Sequence, residues 1–265
     1  MTDGMPLADL GSRKRGRRFV RILEAVADRG AMTLPELVAM LGVSAATARR
    51  DLAELADHGL VRRTHGGVRA VDSGGELPVE LRDTQCPVAK LAIARAVAAR
   101  VPRDRHAVAL SGGTTTARVA MELSRHPLLT IVTNSLTIAD LVHTHPDLRI
   151  VTTGGSLRTQ SLEMVGALAE RTFGAVNVGT AILGADGIAA GAGVTTHDET
   201  EARTNRAMAA SAQRVIVVAD GSKVGRVTLA QMVPIDGVHT LVTDASADRG
   251  ELDRLRAAGV EVVVA

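Results

Sequence analysis

Hydrophobic positions follow one pattern in the first 70 residues and another after residue 88. Phe19, Ile22, Leu23 and Val26 recur at helical spacing, and Gly30 ends that helix. Further along, short runs of Val, Ile and Leu alternate with helical segments, which is typical of a largely parallel sheet covered on both faces. The pattern therefore predicts a small helical unit followed by a larger α/β unit.

Two more helices joined by a tight turn are predicted immediately after the first one. The pattern Thr33-x-x-Glu36 is a capping box that starts a short helix, and Gly42 suits the left-handed position that ends it. Ser44 is then the N-cap of a helix predicted over about 45–57. Two helices connected in this way form a helix-turn-helix.

The second of these helices has one apolar face and one polar face. Ala48, Leu52 and Leu55 share a face that we expect to pack inward. The outward face carries Ala46, Thr47, Arg50 and Asp57, with Arg49 on its flank. Small residues near the N-terminus allow close approach to DNA, and an arginine can reach a phosphate or the guanine O6 and N7 atoms.

Two short strands, at 60–64 and 68–71, are predicted around His65-Gly66-Gly67 and form a wing. Arg62, Arg63 and Arg69 on these strands can reach backbone phosphate. On periodicity alone, a small helical cap with solvated arginines is the alternative. The basic run 13–18 is either an arm that adds phosphate contacts or a solvated tail.

The α/β part alternates regularly between strands and helices. Strands are predicted at about 107–110, 130–133, 149–152, 181–183, 215–218, 239–242 and 260–264, and helices at about 88–99, 198–211 and 248–258, with two more that end near 124 and 142. Ligands of such sheets bind at the carboxyl ends of the strands, where polar residues recur in this sequence.

Two features at these strand ends suggest an anion site. Gly112, Gly113, Thr114, Thr115 and Thr116 lie between a strand and a helix, and they offer backbone N–H groups and hydroxyls at a positive helix end. Lys223 is notable because the chain has three lysines against twenty-eight arginines. A glycine-rich turn with threonine caps, and a lysine on a surface turn, are the alternatives.

Composition limits the choice of function. The 265 residues are 46% hydrophobic and 23% charged, which excludes a disordered chain. Phe19 and Phe173 are the only aromatic residues, so aromatic stacking is not the main way to hold a base or sugar. The net charge of +2 combines two opposite parts: residues 1–70 carry twelve basic and eight acidic residues, and 71–265 carry nineteen and twenty-one.

Other classes of site find little support in the sequence. The single cysteine, Cys86, excludes an intramolecular disulfide and a zinc site built on cysteines. His143 and His145 lack further ligands, so no metal and no cofactor is predicted. No secretion signal and no apolar run of about 20 residues occurs, so we expect a cytoplasmic protein without a membrane partner.

The N-terminal residues carry a family resemblance. The tract 43–52 (VSAATARRDL), followed by Leu55, Gly59-Leu60, Arg63 and His65-Gly66-Gly67, resembles the helix-turn-helix signature of the DeoR family of bacterial transcriptional regulators. The resemblance implies that Thr47, Arg49 and Arg50 contact operator DNA and that the wing supports them. The candidate DNA-binding residues are Ser44, Ala46, Thr47, Arg49, Arg50, Arg62, Arg63, His65 and Gly66.

The resemblance continues through the second part of the chain. The tracts 112–116, 131–136, 184–188, 201–202, 206–208 and 220–225 look like the effector domain of the same family. That domain is similar in fold to ribose-5-phosphate isomerase, and by resemblance it senses a phosphorylated sugar or sugar alcohol. The Gly112–Thr116 loop would hold the phosphate, and Asn134, Asp186, Glu201 and Lys223 would line the rest of the pocket.

These observations predict an α/β protein of two domains. We expect a basic tail at 1–17, a winged helix-turn-helix at 18–71, a linker at 72–88 and a mostly parallel α/β effector domain at 89–265. The predicted function is that of a DNA-binding transcriptional regulator whose operator binding is modulated by a phosphorylated sugar or sugar alcohol, and the resemblance implies a repressor of carbohydrate genes. We expect no catalytic residues and a homo-oligomer (dimer or tetramer) on double-stranded operator DNA. The alternative is an isomerase-like enzyme with a DNA-binding tail, against which stands the lack of a lysine after Gly184-Ala185-Asp186.

Overall fold

The computed structural model describes residues 13–57, 59–71, 79–83 and 85–265, apart from the side chains of Arg13 and Glu80. The chain divides into two compact units, with the boundary between Gln85 and Cys86. Residues 1–12 of the predicted tail and residues 72–78 and 84 of the predicted linker lie outside the described part of the chain.

The first unit is a winged helix-turn-helix. Its elements are α1 (Arg13–Arg29), β1 (Ala31–Thr33), α2 (Leu34–Leu41), α3 (Ala45–Asp57), β2 (Val61–Thr64), β3 (Gly67–Ala70) and the single turn α4 (Val79–Arg82). The capping box at Thr33 is present, and Gly42 has the left-handed conformation expected, with a φ of 66°. Phe19, Ile22 and Leu55 are fully buried in the core of this unit.

Two features of this unit differ from the sequence prediction. Strand β1 was not predicted, and it pairs with β3, so that the sheet has the antiparallel order β1-β3-β2. Helix α1 begins at Arg13, inside the segment 1–17 that was expected to be a tail, so it includes the basic run treated above as an arm or a solvated tail. The reason lies in α3, where Asp51 and Glu54 pair with Arg15 and Arg18 of α1.

The second unit is built around a parallel sheet. Its strands are β4 (His106–Leu110), β5 (Leu129–Thr133), β6 (Arg149–Thr152), β7 (Ser156–Arg158), β8 (Glu163–Val165), β9 (Val178–Gly184), β10 (Gly187–Ala189), β11 (Gly193–Thr196), β12 (Ala212–Val218), β13 (Ala230–Val233), β14 (Thr240–Thr243) and β15 (Glu261–Val264). Its helices are α5 (Pro87–Ala98), α6 (Thr114–Leu123), α7 (Leu136–Val142), α8 (Ala167–Gly174), α9 (Glu199–Ala210) and α10 (Arg249–Ala257).

Seven strands form the main sheet in the order β15-β14-β12-β9-β4-β5-β6, and every neighbouring pair is parallel. Both faces of the sheet are buried. Along β12, Val215 and Val217 belong to one apolar cluster, and Ile216 and Val218 belong to the other. This alternation confirms the prediction of a sheet covered on both sides.

Three elements beside the main sheet were not predicted. Strands β7 and β8 form an antiparallel hairpin, and β10, β11 and β13 form a small antiparallel sheet. Helix α8 follows the hairpin directly. Each of these strands is three or four residues long, too short to show a clear alternation of apolar and polar positions.

Candidate DNA-binding face and sensor site

Helix α3 presents small residues and arginines to solvent. Ala46, Arg49 and Arg50 are exposed, and Thr47 is half-buried. The Ser44 hydroxyl caps the helix by accepting a hydrogen bond from the Thr47 amide at 3.2 Å, and it lies 2.9 Å from the Thr47 hydroxyl. Ala48, Leu52 and Leu55 are buried, so the predicted inward and outward faces are both confirmed.

A buried carboxylate fixes α3 against α1. Asp51 accepts bonds from Arg18 Nε at 2.7 Å and Nη2 at 3.0 Å, and its side chain is only 2% exposed. Hydrogen bonding to Asp51 is the main cause that raises the pKa of Arg18. Asp51 was not given a role in the sequence analysis. Its position on the stripe of Ala48, Leu52 and Leu55 was the available signal, because a carboxylate on an apolar face requires a partner.

The wing carries exposed cations on a short hairpin. Arg62 and Arg69 are directly opposite each other in β2 and β3, and both are exposed, as are Arg63 and His65. Gly66 is exposed as well, with a φ of 93°, a conformation that L side chains adopt rarely. Side chains with this charge and exposure are suited to contacts with backbone phosphate.

In the second unit, the strand order reverses between β4 and β9. From β4 the chain adds β5 and β6 on one side, and it then returns to add β9, β12, β14 and β15 on the other. The segment Gly112–Thr116, here called the Gly-Thr loop, follows β4, and Asp186 follows β9. Both therefore lie beside the topological switch point, where open α/β sheets bind their ligands.

The Gly-Thr loop forms the start of α6, with Gly113 as its N-cap. The first N–H groups of a helix have no acceptor within the helix, so they are suited to an anion. Thr116 differs from the expectation that all three hydroxyls would be offered to a phosphate, because its hydroxyl donates to the Gly113 carbonyl at 2.9 Å. The Gly112 amide is also engaged, with a partner that the sequence analysis missed.

That partner is Glu163 of β8. Its Oε1 atom accepts from the Gly112 amide at 2.7 Å and from Asn134 Nδ2 at 3.4 Å. Asn134 follows β5, so Glu163 connects the ends of two neighbouring strands of the sheet. No local pattern in the sequence indicates this role, because Glu163 is 51 residues from Gly112 and lies in a hairpin that was not predicted.

Asp186 and Glu201 meet at the Thr196 hydroxyl. This oxygen lies 3.0 Å from Asp186 Oδ2 and 2.7 Å from Glu201 Oε1. Burial raises the pKa of Glu201 well above its usual value, and the charges of Glu163 and Asp186 raise it further. Arg158 partly opposes this effect, with its Nη1 atom 3.2 Å from Glu201 Oε2.

Lys223 closes a 3₁₀ turn, Gly221–Lys223, after β12. The turn is capped by Asp220, whose carboxylate accepts from the Ser222 amide at 3.1 Å. The next residue, Val224, forms a parallel bridge with Ile188, two residues after Asp186. The backbone therefore brings the Lys223 turn alongside the segment that follows Asp186.

No helix among the described residues is long and apolar enough to span a membrane. Within the same part of the chain, no group of three or more His, Cys, Asp or Glu side chains is arranged to hold a metal ion.

Comparison with known proteins relates both units to one family. The family model of the DeoR-like helix-turn-helix domain matches residues 18–74, and that of the DeoR C terminal sensor domain matches residues 85–245. A putative aga operon transcriptional repressor from Escherichia coli O157:H7 is 33% identical over 93% of each chain. The glycerol-3-phosphate regulon repressor of E. coli K12 is 34% identical over 88% of this chain and 92% of its own.

Among solved structures, ribose 5 phosphate isomerase A from Neisseria gonorrhoeae aligns with 53% of this chain and 53% of its own, with a TM-score of 0.38 and 15% identity.

Proposed function

The chain belongs to the DeoR family of transcriptional regulators, and we propose that it represses genes of carbohydrate metabolism until a phosphorylated sugar or sugar alcohol binds. Relatives similar over nearly the whole chain are named as repressors of the aga operon and of the glycerol-3-phosphate regulon. These relatives are regulators and not enzymes, so the isomerase-like alternative is not retained.

We assign operator contact to α3 and the wing. The exposed arginines and the small residues at the start of α3 fit entry into the major groove, and the wing arginines fit contacts with flanking phosphates. The proposed DNA-binding residues are Ser44, Ala46, Thr47, Arg49, Arg50, Arg62, Arg63, His65 and Gly66. Ser44 acts mainly by capping α3 and setting its start.

We assign effector binding to the switch point of the sheet. The observation that carries this assignment is that the Gly-Thr loop and Asp186 lie at the ends of the two strands between which the strand order reverses. The phosphate would be held by the N–H groups at the start of α6, and the body of the sugar by polar side chains around it. The residues of the proposed effector site are Gly112, Gly113, Thr114, Thr115, Thr116, Asn134, Asp186, Glu201 and Lys223. Gly112 belongs to the site through its bond to Glu163 and not as a donor to the anion.

A bound effector would act by shifting the protein between arrangements that fit and do not fit the operator. Helix-turn-helix proteins commonly read two half-sites with two-fold symmetry, so we propose that the chain works as a symmetric homo-oligomer. Because its relatives are regulators of operons and regulons, we also propose that it acts in the cytoplasm.

A titration of operator binding tests this function. A labelled duplex from the promoter regions next to the gene would be bound by the purified full chain, and anisotropy of the DNA label would report binding, because the chain has no Trp or Tyr. Sugar and polyol phosphates are then added, with their unphosphorylated forms and inorganic phosphate as controls. If the protein binds every duplex with the same non-specific affinity, and this affinity falls uniformly with salt, the regulator assignment is wrong. Specific binding that no phosphorylated compound alters would refute the effector assignment alone.

A further inference from the structure

Glu163 lies inside the sensor site, but the function proposed above gives its carboxylate no role. Its side chain lies in β8 and the residue is only 2% exposed. Its Oε1 atom accepts hydrogen bonds from the backbone amide of Gly112, at 2.7 Å, and from the side-chain amide of Asn134, at 3.4 Å. A buried charge is costly unless it is bonded, and these two bonds meet that requirement for Glu163.

The hairpin that carries Glu163 is fastened to the connection between β5 and α7. The Met164 amide donates to the Asn134 carbonyl at 2.7 Å, and the Leu136 amide donates to the Leu162 carbonyl at 3.0 Å. These two backbone bonds hold the residues on either side of Glu163. The carboxylate is therefore a fixed part of the site.

The packing around Glu163 also determines which residue can stand at position 112. A Cβ atom added to Gly112 would lie 2.4 Å from Glu163 Cγ, a distance that requires one of them to move. The close approach places the charge of Glu163 directly against the loop that is proposed to hold the phosphate. It also leaves the later amides of the loop, and not the Gly112 amide, to bind an anion.

Hydrogen-bonding capacity around Glu163 favours ligand groups that donate. Asn134 is fully buried, and its Oδ1 atom has no hydrogen-bond partner in the described part of the chain. A ligand hydroxyl can donate to this oxygen and to carboxylates, whereas an ionised carboxylate of a ligand can only accept. The acceptors of Asn134 and Glu163 thus lie beside the Gly-Thr loop, where the phosphate is proposed to bind.

The acidic side chains near Glu201 also favour a ligand body without negative charge. Glu163 and Asp186 both lie close enough to Glu201 to raise the pKa of Glu201, after the larger effect of burial. Glu163 and Asp186 therefore place negative charge near Glu201, and Arg158 pairs with Glu201. A second anionic group on the ligand would add like charge to this region.

From these observations we propose that Glu163 is a specificity-determining residue, which restricts the effector to monophosphates with an uncharged, hydroxylated body and rejects phosphorylated sugar acids. The inference rests on the proposed function, because it needs a phosphate on the Gly-Thr loop. It goes beyond that function by naming the class of ligand that is excluded and the residue that excludes it.

Matched pairs of ligands test the proposal on the full-length protein. D-Glucitol 6-phosphate and 6-phospho-D-gluconate differ only at carbon 1, where an alcohol becomes a carboxylate, and glycerol 3-phosphate and 3-phosphoglycerate form a shorter pair. Calorimetry would give the affinity ratio within each pair. We expect the alcohol to bind about tenfold or more tightly than the acid in at least one pair, and Glu163→Gln to bring that ratio close to unity.

Glu163→Gln keeps an acceptor for the Gly112 amide, so this variant should fold. If it does not fold, Glu163→Ala is the second variant. Glu122→Gln, on α6 outside the site, has the same charge change and should keep the wild-type ratio. If the wild type binds both members of each pair equally, or if both Glu163 variants keep its ratio, the inference is wrong while the proposed function stands. If no sugar or polyol monophosphate binds at all, the proposed function and the inference fall together.

Discussion

Replacing Glu201 by Gln should remove a loss of stability that the wild type undergoes as pH rises. Thr196 has one hydroxyl proton, yet its oxygen lies within hydrogen-bonding distance of both Asp186 and Glu201. One of the two carboxyl groups must therefore carry a proton and donate it to Thr196. The raised pKa of Glu201, caused first by burial and then by Glu163 and Asp186, identifies Glu201 as that group.

The sign of the pH dependence follows from this pKa. Glu201 ionises near 4.5 in the unfolded chain and well above that value in the folded chain. Between these two values the folded chain holds a proton that the unfolded chain has released, so the free energy of unfolding falls as pH rises. This loss of stability is absent below pH 4.5 and complete above the pKa of Glu201 in the folded chain. Gln cannot ionise, so the variant lacks this fall.

The magnitude is bounded by the single proton involved. A difference of one bound proton changes the free energy of unfolding by at most about 1.4 kcal/mol per pH unit. For a unit the size of residues 86–265, this corresponds to roughly 3–6 °C in Tm per pH unit. Loss of the Arg158 pairing with Glu201 will lower the stability of the variant by an amount that changes little with pH. The slope, and not the difference at one pH, is the quantity to compare.

Thermal or urea unfolding of both proteins between pH 5 and 8, without ligand and followed by circular dichroism, would measure this slope. Glu199→Gln is the matched control, since Glu199 is exposed in the same first turn of α9. We expect the advantage of Glu201→Gln over the wild type to grow with pH and that of Glu199→Gln to stay constant. A Glu201→Gln difference that is independent of pH, or that shrinks as pH rises, would refute the assignment of the proton.

Three other experiments test the remaining assignments. Arg50→Ala should weaken operator binding by about 1–3 kcal/mol, roughly 5- to 150-fold, in an anisotropy assay and leave sugar-phosphate binding unchanged; an unchanged operator affinity would remove Arg50 from the recognition face. Lys223→Ala should shift the effector dose response to higher concentration while operator affinity without effector stays the same, and an unaltered dose response would place Lys223 outside the site. Asp51→Ala should destabilise the first unit by on the order of 2–3 kcal/mol, because the two bonds from Arg18 are lost. Adding Arg18→Ala should then cost little more in urea unfolding, and fully additive losses would contradict a direct pairing.

The N-terminal unit was predictable because its signals are local. The capping box at Thr33, the left-handed Gly42 and the Ser44 cap each involve residues within one helical turn, so the sequence alone locates the helix ends. The inward stripe of α3 follows from helical periodicity in the same way. Strand β1 is different, since three residues form a strand only by pairing with β3, more than thirty residues away.

In the sensor unit, too, the features with local signals were predictable and those set by long-range packing were not. Continuous apolar runs predict the buried parallel strands, and topology then brings the residues after β4, β5 and β9 to one edge of the sheet. The Gly-Thr loop, Asn134 and Asp186 could therefore be selected from the sequence. The order in which the strands lie side by side, and so the position of the switch point, is set by packing and is not written in any single segment.

The sequence by itself determined helices α1 to α3 of the first unit, the seven strands of the main sheet and which strand ends carry polar chemistry, because hydrophobic period and capping act over a few residues. Only the tertiary structure decided that Glu163 holds the Gly112 amide, that one Thr196 hydroxyl is shared by Asp186 and Glu201, and that Asp51 fastens α3 to Arg18. The physical reason is distance along the chain. A buried charge is stable only with partners, and the fold supplies the partners of Asp51 and Glu163 from segments 33 and 51 residues away.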